Sequence, residues 1–81
     1  MVSTWIEAAA KGRELVQAHP DQVYLHYNVA CCEARAGRAA DAIAALRSAV
    51  KAWDGFRDMA TKDDDFDPIR NDPAFQALTR R

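Results

Sequence analysis

Apolar residues recur along most of this chain with the spacing of one face of a helix, and almost nothing alternates with the period of two that a strand requires. The spacing predicts helices over residues 4–18, 22–36 and 39–53. The third helix has the most regular apolar face, which consists of Ala42, Ile43, Leu46, Ala49, Val50 and Trp53. The pattern therefore predicts an all-α fold built from antiparallel helices.

Residues typical of helix ends support these boundaries. Thr4 and Glu7 have the spacing of a capping box, in which each side chain binds an otherwise unpaired backbone N–H. A His-Pro-Asp sequence ends the first helix, and Gly37 ends the second because glycine readily takes the left-handed conformation found there. Gly55 follows the third helix. The three predicted helices are thus separated by short turns.

The C-terminal part of the chain is rich in aspartate and punctuated by proline. It contains, in order, a predicted short helix, an acidic stretch and a predicted last helix, over residues 56–61, 63–67 and 73–79. Asp72 and Pro73 favour the start of the last helix, since aspartate is a good N-cap and proline fits the first helical position. We expect Phe75 and Leu78 to face inward.

An internal repeat appears at a spacing of 34 residues. Five apolar or small positions of the first helix recur in the third: Ala8, Ala9, Gly12, Leu15 and Val16 correspond to Ala42, Ile43, Leu46, Ala49 and Val50. Small and large residues exchange places between the copies, which keeps a seam between stacked helices while redistributing volume. The spacing predicts a helical repeat.

The residues between the two copies resemble the tetratricopeptide repeat. The matching positions are Val29, Ala30, Gly37, Ala42, Leu46 and Ala49. Three positions depart from the family pattern, since His26 replaces the usual tryptophan, Glu33 the usual tyrosine and Asp54 the usual proline. The resemblance implies stacked helical hairpins in one domain, residues 1–81. It divides the domain into a half repeat, a full repeat and a degenerate capping unit, over residues 4–20, 22–54 and 55–81.

Charge and composition narrow the class of protein. Lys and Arg number 11 and Asp and Glu 12, so the formal net charge is −1, which argues against nucleic acid or an anionic membrane as the main partner. No apolar run is long enough for a membrane span. Two adjacent cysteines are too few for a disulfide scaffold, which indicates a reducing, cytoplasmic setting. The abundance of Ala and Arg is typical of a GC-rich bacterial genome.

Two groups of residues have the chemistry of metal ligands, but neither has suitable spacing. Asp63, Asp65 and Asp67 alternate as in a calcium loop, yet Pro68 and Ala74 stand where that loop needs glycine and glutamate. We interpret the stretch as a solvated loop with its aromatic side chain packed inward.

The soft ligands of the chain are His19, His26, Cys31 and Cys32. Adjacent side chains on a helix point about 100° apart, and neither histidine lies one turn from a cysteine. We expect Cys32 to be buried and Cys31 to lie on the opposite surface. The sequence therefore predicts no metal and no cofactor. Since no nucleophile, base and orienting group form a recognisable set, it also predicts a protein that is not an enzyme.

The tetratricopeptide resemblance implies a function in protein–protein interaction, because in that family the first helix of each repeat lines a groove for partner segments. In this chain the corresponding residues are Tyr24, Tyr27, Cys31, Ala34 and Arg35. Two aromatic residues followed by an arginine suit an extended peptide with apolar and acidic features. The alternative is that one or both tyrosines pack against a neighbouring helix or the tail.

Self-association is the second hypothesis for function. The resemblance implies that the half repeat lacks its own first helix, so we expect the helix over residues 4–18 to have only one covered side. We expect a second copy of the chain to cover the other side and form a homodimer, through Trp5, Ile6, Leu15 and Val16.

Overall fold

The computed structural model describes residues 2–80, and every regular element in this range is helical. In chain order the elements are α1 (Val2–Ala18), α2 (Tyr24–Arg35), α3 (Ala39–Ala52), α4 (Gly55–Lys62), a 3-10 helix (Asp64–Ile69) and α5 (Pro73–Thr79). The prediction of an all-α fold is confirmed.

Helix α2 is the central element, and α1, α3 and the 3-10 helix all pack against it. The turn between α2 and α3 depends on Gly37, which has a φ of 78°. Its N–H donates to the carbonyl of Ala34 at 3.0 Å, and the N–H of Arg38 donates to the carbonyl of Glu33 at 2.9 Å. This pair of bonds is the Schellman motif, which satisfies carbonyls at the end of a helix. The predicted helix stop at Gly37 is confirmed.

Small residues let α1 approach α2 closely. Ala9 is completely buried, and a Cβ atom placed on Gly12 would lie only 2.7 Å from Cγ2 of Val29. Any larger side chain at position 12 would push the two helices apart. Corresponding positions of the 34-residue repeat are not equally buried in the two copies. Leu15 of α1 is exposed, whereas its counterpart in α3, Ala49, is fully buried.

The C-terminal unit, residues 55–80, completes the hydrophobic core. Tyr27 of α2 stacks on Phe56 with 4.8 Å between ring centroids and meets the edge of Phe66 at 5.6 Å. Phe66 in turn lies 5.5 Å from Phe75. The predictions that Phe66 and Phe75 face inward are confirmed, and both side chains belong to the same core as the apolar residues of α3.

The ends of the helices agree with the sequence in the C-terminal unit better than at the start of the chain. Asp72 caps α5 as predicted, since its Oδ1 accepts a hydrogen bond from the N–H of Ala74 at 2.8 Å. The capping box at Thr4 is wrong, because α1 already begins at Val2 and Thr4 lies inside its first turn.

Trp53 differs most from its predicted place. We expected it on the apolar face of the third helix, but α3 ends at Ala52 and Trp53 is 53% exposed. Its ring meets Phe56 edge to face at 4.9 Å. A change to extended backbone at position 53 turns the side chain away from the face formed by Leu46 and Ala49.

Candidate functional site

The predicted partner groove is not an open surface. Tyr27 and Ala34 lie in the core, with 6% and 0% of their surface exposed, because the C-terminal unit packs over this face of α2. For Tyr27 the alternative is confirmed, since its ring packs against the tail, and neither residue is open to a partner in this structure. Cys31 and Arg35 are half-buried, and Tyr24, 52% exposed, stands free of the core.

A set of polar contacts fastens the C-terminal unit to this face. The hydroxyl of Tyr27 donates to Oδ2 of Asp63 at 2.7 Å, and the Sγ of Cys31 lies 3.9 Å from the same oxygen. Nε of Arg35 donates to Oδ1 of Asp65 at 2.9 Å. We call these five side chains the polar lock. It uses the groups that were predicted to bind a partner, and it uses them within the chain.

Tyr27 and Cys31 keep their protons in the folded chain. Burial, with the hydrogen bond to Asp63, raises the pKa of Tyr27 well above its ordinary value of 10.0. Burial and the negative charges of Asp63 and Asp65 likewise raise the pKa of the Cys31 thiol above its ordinary value of 9.0. A thiol that stays protonated is a poor nucleophile.

Cys31, Asp63 and Asp65 place their ligand atoms within 4.8 Å of one another. Both carboxylates are paired within the described chain, since Asp63 accepts a hydrogen bond from Tyr27 and Asp65 accepts one from Arg35. The absence of a metal stays a prediction. The prediction that Cys31 lies on the open surface is wrong, since the acidic stretch folds over it.

Replacing Tyr27 with Phe should lower the free energy of unfolding by about 1–2 kcal/mol, since it removes a hydrogen bond to a carboxylate and keeps the ring. The measurement is urea unfolding at pH 7 followed by circular dichroism. Tyr24→Phe is the matched control, because Tyr24 is 52% exposed and one turn away on α2, and it should change little. Equal stability of both variants would show that the bond to Asp63 adds nothing.

The same variant should change the response to alkali. Tyr27 and Cys31 have raised pKa values in the folded chain, so their contribution to stability is complete below the ordinary values of 9.0 and 10.0 and is lost as the pH rises above them. The free energy of unfolding of the wild type should therefore fall more steeply above pH 10 than that of Tyr27→Phe.

An open cleft lies between α1 and α3, with α2 as its floor. Its volume is about 540 Å³. Its lining residues are Arg13, Val16 and Gln17 of α1, His26, Val29 and Glu33 of α2, Arg38 at the N-cap of α3, and Asp41, Ala44, Ala45 and Ser48 of α3. The cleft therefore combines a few apolar side chains with polar and charged groups, and none of its lining residues belongs to the C-terminal unit.

A buried carboxylate lies at one end of this cleft. Glu33 is 1% exposed, and its Oε2 accepts a hydrogen bond from Nη1 of Arg13 at 3.0 Å. Nη1 of Arg38 is 3.5 Å from Oε1, and that oxygen accepts no hydrogen bond within the described chain. Arg38 also binds Oδ2 of Asp41, from Nε at 3.1 Å and from Nη2 at 2.9 Å. Thus α1, α2 and α3 are joined through one buried charge.

Sequence reasoning missed this cleft. It treated Glu33 only as a departure from the aromatic residue of the repeat pattern, and it did not consider Arg13 at all. The available signal was a glutamate within a segment of small and apolar residues, Val29 to Ala34, because a buried charge requires a partner. The partner stands 20 positions away, and no local pattern identifies it.

The four residues proposed for self-association do not form one surface. Ile6 and Leu15 are each 38% exposed, but they are nine positions apart, which is about two and a half turns and places them on opposite sides of α1. Trp5 and Val16 are half-buried, and Val16 lines the cleft. Homodimer formation stays a prediction, and through these residues it would need contacts on two sides of one helix.

Comparison of the chain with protein-family models, with curated proteins and with solved structures found no match. Among the helices of the described chain, none has both the length and the apolar character needed to cross a membrane.

Proposed function

We propose that this chain is a non-enzymatic protein-interaction module that binds a segment of a partner protein in the cleft between α1 and α3. The observation that carries the proposal is the cleft itself. It has a volume of about 540 Å³, which is within the range of roughly 300–1,000 Å³ typical of ligand sites. The face first predicted for this role is occupied by the chain's own C-terminal unit, whereas this cleft is open to solvent.

The lining of the cleft suits a peptide. Val16 and Ala45, both half-buried, offer an apolar surface for an aliphatic side chain. Gln17 and Ser48 stand on opposite walls and supply amide and hydroxyl groups for the peptide backbone. Recognition by these groups requires docking alone, with no bond made or broken.

Membership of the tetratricopeptide family and a cytoplasmic location are part of the same proposal. The recurrence of apolar positions at a spacing of 34 residues supports the first, together with the packing of α1 and α3 against α2. The two cysteines, Cys31 and Cys32, are free, which fits a reducing compartment.

Filling the cleft should abolish binding. Peptides selected from a random library on the immobilised chain should bind Ala44→Trp at least about ten-fold more weakly than the wild type, as measured by fluorescence polarisation. Ala44 is exposed on α3 and lines the cleft, so the indole occupies the cleft without disturbing the core.

The matched control is Ala77→Trp, an exposed alanine on α5 that does not line the cleft. It should bind the selected peptides as the wild type does. If the Ala44→Trp variant also binds them with unchanged affinity, the segment does not occupy the cleft and the proposed site is wrong.

A further inference from the structure

We infer that the segment bound in the cleft carries an acidic side chain, and that Arg13 holds its carboxylate. The inference rests on the proposed function and names the class of partner. It depends on three features of the charged end of the cleft: which charges a ligand can reach, which donors remain available, and what lies beside them.

Around the buried carboxylate of Glu33, the charged groups that a ligand can reach are positive. The side chain of Glu33 is only 1% exposed, whereas those of Arg13 and Arg38 are 46% and 37% exposed. An approaching group therefore meets the two guanidinium groups and not the carboxylate between them.

The donors that remain available belong mainly to Arg13. Arg38 directs Nε and Nη2 to Asp41 and Nη1 toward Glu33. Arg13 donates to Glu33 through Nη1, and a guanidinium carries further N–H groups in a planar fork that matches a carboxylate. These groups belong to a side chain that lines the cleft and is nearly half exposed.

Glu33 acts as the positioning residue for this donor. Its Oε2 holds Nη1 of Arg13 at 3.0 Å, so part of the entropy of ordering a long side chain is lost before any ligand arrives. A buried carboxylate with one oxygen that accepts no hydrogen bond in the described chain is costly for folding alone. Its presence here is explained if it orients an arginine for binding.

The neighbouring lining specifies what accompanies the acidic group. Val16 follows Arg13 by three positions, which places the two on the same side of α1, and Val29 of α2 lies in the same cleft. A segment with an aspartate next to an aliphatic residue can therefore bind Arg13 and pack on Val16 at the same time.

A basic segment is the competing occupant. Asp41 is the acidic group that such a segment would reach, with 55% of its side chain exposed. Arg38 already binds that carboxylate twice, so a basic ligand would have to compete with an existing ion pair. The observations favour the acidic segment.

Three acetylated and amidated pentapeptides test the inference: Ala-Leu-Asp-Leu-Ala, its asparagine counterpart and its lysine counterpart. Each is titrated into isotope-labelled wild-type protein, and the shifts of backbone amides and arginine side chains are followed by NMR. The aspartate peptide should bind about five-fold more tightly than the asparagine peptide, with the lysine peptide weakest, and added salt should reduce the difference. The shifts should centre on Arg13, Val16 and Ser48.

Arg13→Gln should remove the preference for aspartate, whereas Arg47→Gln, an exposed arginine of α3 that does not line the cleft, should keep it. The comparison of peptides on the wild type needs no variant, so it remains decisive if Arg13→Gln folds poorly. Equal binding of the aspartate and asparagine peptides within the cleft, or tighter binding of the lysine peptide there, overturns the inference and leaves the proposed function standing. Binding that Ala44→Trp does not weaken overturns both.

Discussion

Replacing Phe66 with Ala is expected to lower the free energy of unfolding by about 3–5 kcal/mol, the usual cost of removing a large aromatic side chain from a core. Phe66 is completely buried, and its ring contacts Tyr27 of α2 and Phe75 of α5. A domain of this length has a total stability of only about 4–12 kcal/mol. The variant should therefore lose a large share of its stability, although Phe66 lies in an acidic stretch that the sequence predicts to be a solvated loop.

Thermal and urea unfolding followed by circular dichroism measure this effect. Met59→Ala is the control, because Met59 lies in the same C-terminal unit but is 44% exposed, and its loss should cost about 0.5 kcal/mol or less. The wild type and Phe66→Ala should both unfold in one transition. A separate early transition that leaves α1, α2 and α3 with their original stability would show that the C-terminal unit is an independent cap, contrary to the shared core described above.

Local patterns were sufficient to predict the helices. Apolar spacing placed three helices close to their observed bounds. Gly37 marked the end of α2, and Asp72 with Pro73 marked the start of α5; the structure confirms both. Each of these features depends on residues within one or two turns of each other. Periodicity and capping are local properties, so a single sequence is enough to find them.

The side of α2 that meets the C-terminal unit could not be predicted in this way. Tyr24 and Tyr27 are the same residue type one turn apart, yet the first is 52% exposed and the second is 6% exposed. The difference is caused by Phe56 and Phe66, which stack on Tyr27 from distant positions in the chain. An aromatic residue on a helix face is compatible with a groove or with a core, and the spacing of α2 contains no information about what covers it.

The candidate site depends even more on distant pairing. Arg13 meets Glu33 across 20 positions, and the cleft exists only because α1 and α3 both pack against α2. The sequence predicts those helices but not how far apart they lie. A cleft is the space that packing leaves unfilled, and it depends on the sizes of small residues such as Gly12, Ala44 and Ala45 on different helices.

Replacing Arg13 with Met should lower the free energy of unfolding by about 2–3 kcal/mol, because it leaves the buried carboxylate of Glu33 without its one hydrogen bond from a side chain. The full cost of breaking a buried ion pair is larger, but Arg13 is nearly half exposed and Arg38 still stands 3.5 Å from Oε1. Urea unfolding at pH 7 gives the value. Lys11→Met is the matched control: it removes a cation from the same helix whose partner Glu14 is exposed, and it should change stability by about 0.5 kcal/mol or less.

The double variant Arg13→Met, Glu33→Met separates the two contributions of this pair. Methionine fills much of the volume of either side chain and brings no charge into the space between α1 and α2, so stability should return to within about 1 kcal/mol of the wild type. Such a recovery would mean that the isolated carboxylate, and not the loss of arginine packing, destabilises the single variant. It would also mean that the ion pair contributes little net stability, as expected for a charge retained to orient Arg13 in the cleft. A double variant as unstable as Arg13→Met alone would instead assign the cost to lost packing and remove the energetic argument for Glu33 as a positioning residue.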